Sequence, residues 1–244
     1  MLDIEKAKTI IDELIPYLEQ ACEELYVNEC GSFSAEDGEE LGFYFKQSPL
    51  VKDTFYGASK ICLELNGIDD FVLKIPFSHS DDQVFYEVAG NFCMMTPDRE
   101  WDYCNFEAML YDIAKSYGIA DIFAEEYYVT SVFNIPFYIQ AKVTEIFENT
   151  QRCDDYYMMN NKEIKDTKDE LSQSLHRENW NLDAAHINIF FLEDIYNEFG
   201  EEKTNILIDF IDKFNLSDFN TSNIGYINGV PILFDYSGFY DFNG

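Results

Sequence analysis

The sequence predicts an α+β protein with two lobes. Two patterns in the 244-residue chain support this prediction: strand-like runs concentrate between residues 40 and 148, and helical patterns dominate from residue 149 to residue 244. With 47% hydrophobic and 17% aromatic residues, the chain can bury a sizeable core. We therefore expect an N-terminal helix with an irregular connection over residues 1–39, a lobe with an antiparallel sheet and a helix over 40–148, and a helical lobe that ends in a hairpin over 149–244.

The first predicted element is an amphipathic helix at the N-terminus. Its apolar residues recur at helical spacing: Ile4, Ala7, Ile11, Leu14 and Leu18. Pro16 falls within this pattern and predicts a kink. Acids at the start of the segment argue against a signal peptide and a membrane span. The stretch that follows, residues 27–45, is acidic and punctuated by glycine, and it predicts an irregular or short-strand connection.

A β-hairpin is predicted next. Ile61, Leu63 and Leu65 alternate with other residues, Asn66-Gly67 forms a turn signal, and residues 71–77 read as the second strand. Residues 81–101 show no clear period. The later elements follow from the same rules: a helix that stops at Gly118, two strand-like runs within 129–147, two helices over roughly 182–199 and 204–214, and a last hairpin that turns at Asn228-Gly229.

The charge of the chain is its most unusual bulk property. It has 47 acids against 16 bases, a formal net charge of −31, which argues against binding to a nucleic-acid backbone. Salt adaptation, mimicry of the charge of DNA, a basic protein partner and solubility remain as explanations, and salt adaptation fits poorly with a chain rich in Ile, Phe, Tyr and Asn. The six cysteines form no CxxC pair, so we expect a reducing cytoplasm, which is the host cytoplasm if the chain is phage-encoded.

The functional argument begins at the last hairpin. Asp235 directly follows its second strand, Asn223 directly precedes its first strand, and Asp218 lies five residues before Asn223. Carboxylate and carboxamide oxygens are hard ligands of the kind that Mg²⁺ takes, while waters and substrate phosphates complete its shell. A second carboxylate near such a metal can orient a hydroxyl nucleophile. The alternative is that these residues only form turns.

The spacing of these three residues resembles the catalytic loop and the metal-binding Asp of the protein kinase-like superfamily, in particular small kinase-like proteins of bacteriophages and mobile elements. Residues 218–225 read DFNTSNIG, with Asn220 where the family has His. The resemblance implies a two-lobed kinase-like fold with a truncated helical C-lobe, and ATP and Mg²⁺ as cofactors. It assigns Asp218 as catalytic base, and Asn223 and Asp235 as metal ligands.

Upstream residues extend the resemblance. Lys74 in FVLKIPF resembles the phosphate-holding lysine of the third strand, and Glu107 in the next helix resembles the glutamate that pairs with it. We therefore expect an ion pair between Lys74 and Glu107. Gly57 and Ser59 in YGASKI stand where the phosphate-covering loop belongs, although Gly57 alone remains of its usual glycines.

The run IPFYIQAKV resembles the strand that leads to the adenine-binding hinge. The resemblance implies that backbone groups near Gln140, Lys142 and Val143 hold the base. The alternative is a plain core strand.

Departures from the family pattern leave two functions open. Leu216-Ser217 replaces the His-Arg pair before the assigned catalytic Asp, and we expect the segments that dock a protein substrate in the family to be missing from this domain. The first function is ATP and magnesium binding with phosphoryl transfer by a degenerate kinase. The alternative is a non-catalytic protein, either a pseudokinase or an acidic phage protein that binds a basic host partner, in the manner of a DNA mimic. Neither function involves direct nucleic-acid binding or a membrane.

Overall fold

The computed structural model describes residues 2–25, 27, 31–79, 84–88, 91–95, 102–177, 187–217, 219–236 and 238–239. Over these residues the protein is mixed α+β, with six α-helices and a five-stranded antiparallel sheet, which confirms the predicted class. The chain divides into two compact units. The first unit comprises Met1–Phe85, Met94–Tyr111 and Glu125–Lys142, and the second comprises Tyr86–Cys93, Asp112–Ala124 and Val143–Gly244.

The helices of the described residues are α1 (Ile4–Glu24), α2 (Gly38–Phe45), α3 (Tyr103–Tyr117), α4 (Gln151–Met158), α5 (Asn161–Ser174) and α6 (Ile189–Phe214). α1 continues through Pro16 as one helix. α6 is kinked at Gly200, where φ is +81°, so its halves correspond to the two helices predicted for this region. The first residues of that prediction, 182–186, lie outside the described part of the chain. Among the described residues, no helix combines the length and the apolar character needed to cross a bilayer.

The strands are β1 (Val51–Tyr56), β2 (Lys60–Leu65), β3 (Phe71–Pro76), β4 (Val84–Val88), β5 (Asn91–Met95), β6 (Glu126–Val132), β7 (Ile135–Ala141), β8 (Glu145–Ile146), β9 (Leu216–Ser217), β10 (Ile224–Ile227), β11 (Val230–Leu233) and β12 (Gly238–Phe239). The five-stranded sheet has the order β1-β2-β3-β7-β6 and belongs to the first unit. β2 and β3 form the predicted hairpin. Smaller sheets are β11-β10-β8, β12-β9 and β4-β5, and the last of these falls in the stretch without a clear period.

One face of the five-stranded sheet, the apolar face, carries the main core of the first unit. Antiparallel partners share a face, and Leu63 pairs with Leu73, which in turn pairs with Ile139. All three side chains are fully buried, together with Ile11 and Leu14 of α1. α1 packs over β6 and β7, and α2 packs over β1 and β2. The alternation of β2 and the helical period of α1 in the sequence both correspond to this core.

α2 corrects the expectation of an irregular connection in this region. Its two glycines allow a close approach to the sheet: a Cβ on Gly42 would lie 2.8 Å from the Thr54 Oγ1, and a Cβ on Gly38 would lie 2.9 Å from a ring carbon of Phe77. Glycine usually ends a helix or forms a turn, which is why the sequence pattern indicated a loop. At these positions glycine instead permits contact between a helix and a strand.

α4 and α5 occupy a polar stretch for which the sequence predicted no element. Each buries a single residue, Cys153 in α4 and Leu171 in α5, so neither shows an apolar stripe of the usual width. Their ends are instead defined by caps. The Asn160 side chain accepts hydrogen bonds at the start of α5, and the Glu163 side chain reaches back to the Asn160 amide.

Candidate functional site

Lys74 lies at the centre of the five-stranded sheet, on β3. It pairs with Cys62 of β2 on one side and with Tyr138 of β7 on the other. These three residues point away from the apolar face, and we call their side of the sheet the polar face. The Lys74 side chain is only 1% exposed, and its ammonium group forms an ion pair with Glu107 of α3. The predicted Lys74–Glu107 ion pair is therefore present, and Glu107 is a buried acid rather than an exposed one.

Three more side chains complete a charged cluster, which we define as Lys60, Lys74, Glu107, Glu126 and Gln140. Lys60 Nζ donates to Glu107 Oε1 at 2.7 Å, so each oxygen of Glu107 binds a different lysine. Glu126 Oε2 accepts from Lys74 Nζ at 2.9 Å and from Gln140 Nε2 at 2.6 Å. Glu126 Oε1 is buried, and among the described residues it has no hydrogen-bond partner.

The electrostatics of the cluster favour charged lysines and one ionised glutamate. Burial opposes the charge of Lys74, but Glu107 and Glu126 outweigh it and raise the Lys74 pKa well above its ordinary value. Burial also opposes ionisation of Glu107, and the charges of Lys60 and Lys74 outweigh it and lower the Glu107 pKa. Burial and the negative charge of Glu107 raise the pKa of Glu126. Whenever Glu126 holds its proton, the cluster carries a net positive charge.

Asp102 fixes the start of α3 against the polar face. Its Oδ1 accepts a hydrogen bond from the Asn105 amide at 2.8 Å, as an N-cap does, and its Oδ2 accepts from Tyr138 Oη at 2.7 Å. Asp102 is buried, and this burial raises its pKa to about 6. Because Tyr138 is the strand partner of Lys74, the cap holds the first turn of α3 beside the strand residue next to Lys74. Glu107 follows one turn later.

The loop predicted to cover phosphates joins β1 to β2 and contains Gly57 and Ser59. Gly57 is exposed, and a Cβ built on it would meet no atom within 4 Å. The Ser59 carbonyl accepts a hydrogen bond from the Phe77 amide at 2.8 Å, and the loop then leads directly into Lys60. The loop is thus connected to the charged cluster through the next residue. Contact of Gly57 or Ser59 with a phosphate stays a prediction.

The segment predicted to hold an adenine runs from Gln140 to Val143. The Gln140 side chain belongs to the charged cluster, and the amides of Ala141 and Lys142 already donate to carbonyls of the first unit. The Lys142 side chain pairs with Glu64 at 2.7 Å. A base bound at this segment would therefore have to use other backbone groups. The first unit ends at Lys142, and the second resumes at Val143.

In the second unit, the hairpin of β10 and β11 brings Asn223 and Asp235 to its open end. The Phe234 amide donates to the Asn223 carbonyl at 3.1 Å, and Asp235 follows in the left-handed region with φ of +49°. Both side chains are half-buried. Gly225 is required for packing, since a Cβ there would lie 2.4 Å from the Glu145 carbonyl oxygen of β8. The hairpin predicted from Asn228-Gly229 is confirmed.

The metal assignment rests on these two oxygen donors. Asp218, the assigned base, lies outside the described residues. In the described part of the chain, no three His, Cys, Asp or Glu side chains gather in a way that could hold a metal ion. Mg²⁺ needs no such group, because it is commonly held by one or two protein oxygens and completed by water and phosphates. Asn223 and Asp235 therefore fit the chemistry of Mg²⁺.

Two members of the charged cluster were not predicted from the sequence. Lys60 alternates with the apolar residues Ile61, Leu63 and Leu65. Such alternation is typical of a strand with one face exposed to water, and Lys60 falls on that face. Glu126 is the second of two consecutive acids, which also indicates a surface. One signal in the sequence could have indicated the cluster. Lys60 and Lys74 fall on the two strands of the predicted hairpin, although the chain has only 16 basic residues.

Comparison with models of known protein families, with curated proteins and with solved structures finds no match to this chain.

Proposed function

We propose that the protein is kinase-like, with a two-lobed fold, and that it binds the phosphates of ATP at Lys74. The single observation that carries the proposal is the ion pair between Lys74 of β3 and Glu107 of α3. In kinases a lysine of the third strand holds nucleotide phosphates and is itself held by a glutamate of the next helix. The order of elements in this chain, strand, helix and then two further strands of the same sheet, supports the same assignment.

The energetics of burial favour a functional role for the cluster. Replacing buried ion pairs by apolar residues of similar volume is often neutral or stabilising, by about 1–4 kcal/mol. The apolar face of the same sheet demonstrates that these strands pack well with aliphatic and aromatic side chains that carry no charge. Buried groups with strongly shifted pKa values concentrate at functional sites. A sheet face that buries two lysines against two glutamates, one of which comes from α3, is therefore better explained by binding than by stability.

The second unit contributes the other proposed groups. Asn223 and Asp235 would hold Mg²⁺, which when bound neutralises part of the phosphate charge. Asp218 is proposed as the base that orients an acceptor hydroxyl. We infer a cytoplasmic location, where ATP and magnesium are both abundant.

The alternative, a non-catalytic protein that binds a basic partner, is favoured by a different observation. Lys74 is fully buried and already binds two carboxyl groups. A net charge of −31 also repels an anionic nucleotide and attracts basic surfaces. On this account the cluster is that of a pseudokinase, and partner binding weakens steeply with salt because exposed charges are screened over about 8 Å at physiological ionic strength.

An ATP titration with and without Mg²⁺ tests the proposal. We expect weak, magnesium-dependent binding by the parent protein. Lys74→Met should abolish this binding, and Asp235→Asn should remove its dependence on magnesium. Asp112→Asn, which removes an exposed acid of α3 paired with Lys115, is the matched control and should bind as the parent protein does. Absence of binding at millimolar ATP would leave the partner-binding alternative.

A further inference from the structure

Glu126 is the part of the charged cluster that the kinase resemblance does not explain. A lysine–glutamate pair needs one carboxylate, and Glu107 supplies it. Glu126 adds a second carboxyl group to Lys74, at 2.9 Å, from the neighbouring strand β6. The Glu126 side chain is 0% exposed, so bulk water does not compete with it for the Lys74 ammonium group.

The hydrogen bonding of Glu126 is incomplete. Its Oε2 accepts from both Lys74 and Gln140, whereas its Oε1 is buried without a partner in the described part of the chain. The Glu126 carboxyl group lies beside both Glu107 and the ammonium group that the proposed function assigns to phosphate.

We propose that Glu126 is an internal competitor for the Lys74 ammonium group, so that the phosphate chain of a nucleotide reaches Lys74 only when Glu126 is uncharged or has released its hydrogen bond. This inference rests on the proposed function. Glu126 is thus a residue that sets the affinity for phosphate groups, through Lys74. A bound phosphate would replace the Glu126 carboxylate as a partner of the Lys74 ammonium group.

The groups that face Glu126 determine the direction of its pH dependence. They are Lys60 of β2, Lys74 of β3, Tyr138 and Gln140 of β7, and Cys104 and Glu107 of α3. Glu107 disfavours ionisation of Glu126 and the lysines favour it, while burial disfavours it most. As the pH rises and Glu126 ionises, it holds Lys74 more strongly and repels a phosphate. Affinity for the nucleotide therefore falls as the pH rises.

The test compares ATP affinity of the full chain and of Glu126→Gln, in excess Mg²⁺, between pH 6 and pH 8.5. Glutamine keeps the shape and the acceptor oxygen but cannot ionise. We expect Glu126→Gln to bind ATP more tightly than the parent protein, with a ratio that grows towards alkaline pH and reaches at least about tenfold where Glu126 is ionised in the parent protein, because a negative charge beside the bound phosphate is removed. The variant should also lose most of the pH dependence. Titration of Asp102 is common to both proteins and cancels in their comparison.

Glu125→Gln is the matched control. It removes the same charge from the neighbouring residue, whose side chain accepts a hydrogen bond from Tyr127 and takes no part in the charged cluster. Its affinity should stay within about twofold of the parent protein, since only the net charge changes. Inorganic triphosphate, titrated in parallel, should show the same pattern, because the competition concerns phosphate alone.

The outcomes separate the two proposals. Binding of ATP by both proteins with equal affinity and equal pH dependence would overturn the role of Glu126 and leave the nucleotide site standing. Absence of binding by the parent protein together with tight binding by Glu126→Gln would support an internal competitor that is strong enough to keep the site closed. Absence of binding by both at millimolar ATP would overturn both proposals, and Lys74 would then be a structural cation.

Discussion

The five-stranded sheet buries the centre of both its faces, with opposite chemistry on each. On β3, Leu73 points to the apolar face and is fully buried in the apolar core that this face shares with α1. Lys74, the next residue, points to the polar face and is buried among carboxyl groups. Two consecutive residues of β3 therefore belong to a hydrophobic core and to a charged one.

The two faces differ in what their burial contributes. Removing apolar area from water stabilises the fold by about 25 cal/mol per Å², with no requirement for a particular partner. Burying charges gains little or nothing on balance, but it fixes each group to a specific partner. The apolar face is thus the source of stability, and the polar face is the source of a defined arrangement of lysines.

The largest expected effect is on the polar face. Glu107→Leu leaves Lys60 and Lys74 buried without their shared carboxylate, and we expect the free energy of unfolding to fall by about 3–5 kcal/mol. Urea unfolding followed by circular dichroism measures this change. A loss below about 1 kcal/mol would mean that the lysines find other partners and that Glu107 is not the centre of the cluster.

Leu73→Ala addresses the apolar face. We expect a loss of about 3–4 kcal/mol in the free energy of unfolding, because a buried leucine is replaced by a cavity. The same urea experiment applies. Unlike Glu107→Leu, this loss should not depend on pH, since no titrating group is involved. A strong pH dependence would contradict the separation of the two faces.

Asp102 makes the stability of the polar face depend on pH. Its pKa in the folded protein is about 6, above the ordinary value of 3.8. The associated stability is fully present below pH 3.8 and is lost as the pH rises through 6, by up to roughly 3 kcal/mol. Measured between pH 4 and pH 8, the difference in unfolding free energy between the parent protein and Asp102→Asn should follow this window. A constant difference would show that Asp102 is not held in this environment.

The smallest effect is expected at the rim of the polar face. Glu64 pairs with Lys52 at 2.8 Å and with Lys142 at 2.7 Å, and both lysines are accessible to water. Glu64→Gln should lower the unfolding free energy by less than about 1 kcal/mol, and added salt should reduce the difference further. A loss as large as that of Glu107→Leu would remove the distinction between the centre of the face and its rim.

Part of this arrangement could be predicted from the sequence. The ion pair between Lys74 and Glu107 was predicted because their order, a strand lysine followed by a helix glutamate, resembles the kinase-like pattern. Alternation in β2 gave the hairpin, and Asn228-Gly229 gave the turn between β10 and β11. The hairpin and the turn depend on local periods and turn chemistry, which a sequence displays directly.

The remainder depends on packing between distant segments. Alternation separates the two faces of a strand but does not reveal that both faces are covered by other segments. Lys60 and Glu126 therefore look like surface residues in the sequence, although both are buried. Gly38 and Gly42 gave the pattern of a loop, because their role in bringing α2 against β1 exists only in the folded protein. The assignment of Asp218 as base stays a prediction, as do the magnesium ligands Asn223 and Asp235.

The two adjacent residues of β3 provide the most direct test of the central claim, that the polar face binds phosphate and the apolar face provides stability. The measurement is an ATP titration in Mg²⁺ of Lys74→Met and of Leu73→Ala, with affinity expressed for the folded fraction of each protein. We expect Lys74→Met to lose binding and Leu73→Ala to keep the parent affinity. Parent-like binding by Lys74→Met, or an equal loss in both variants, would contradict it.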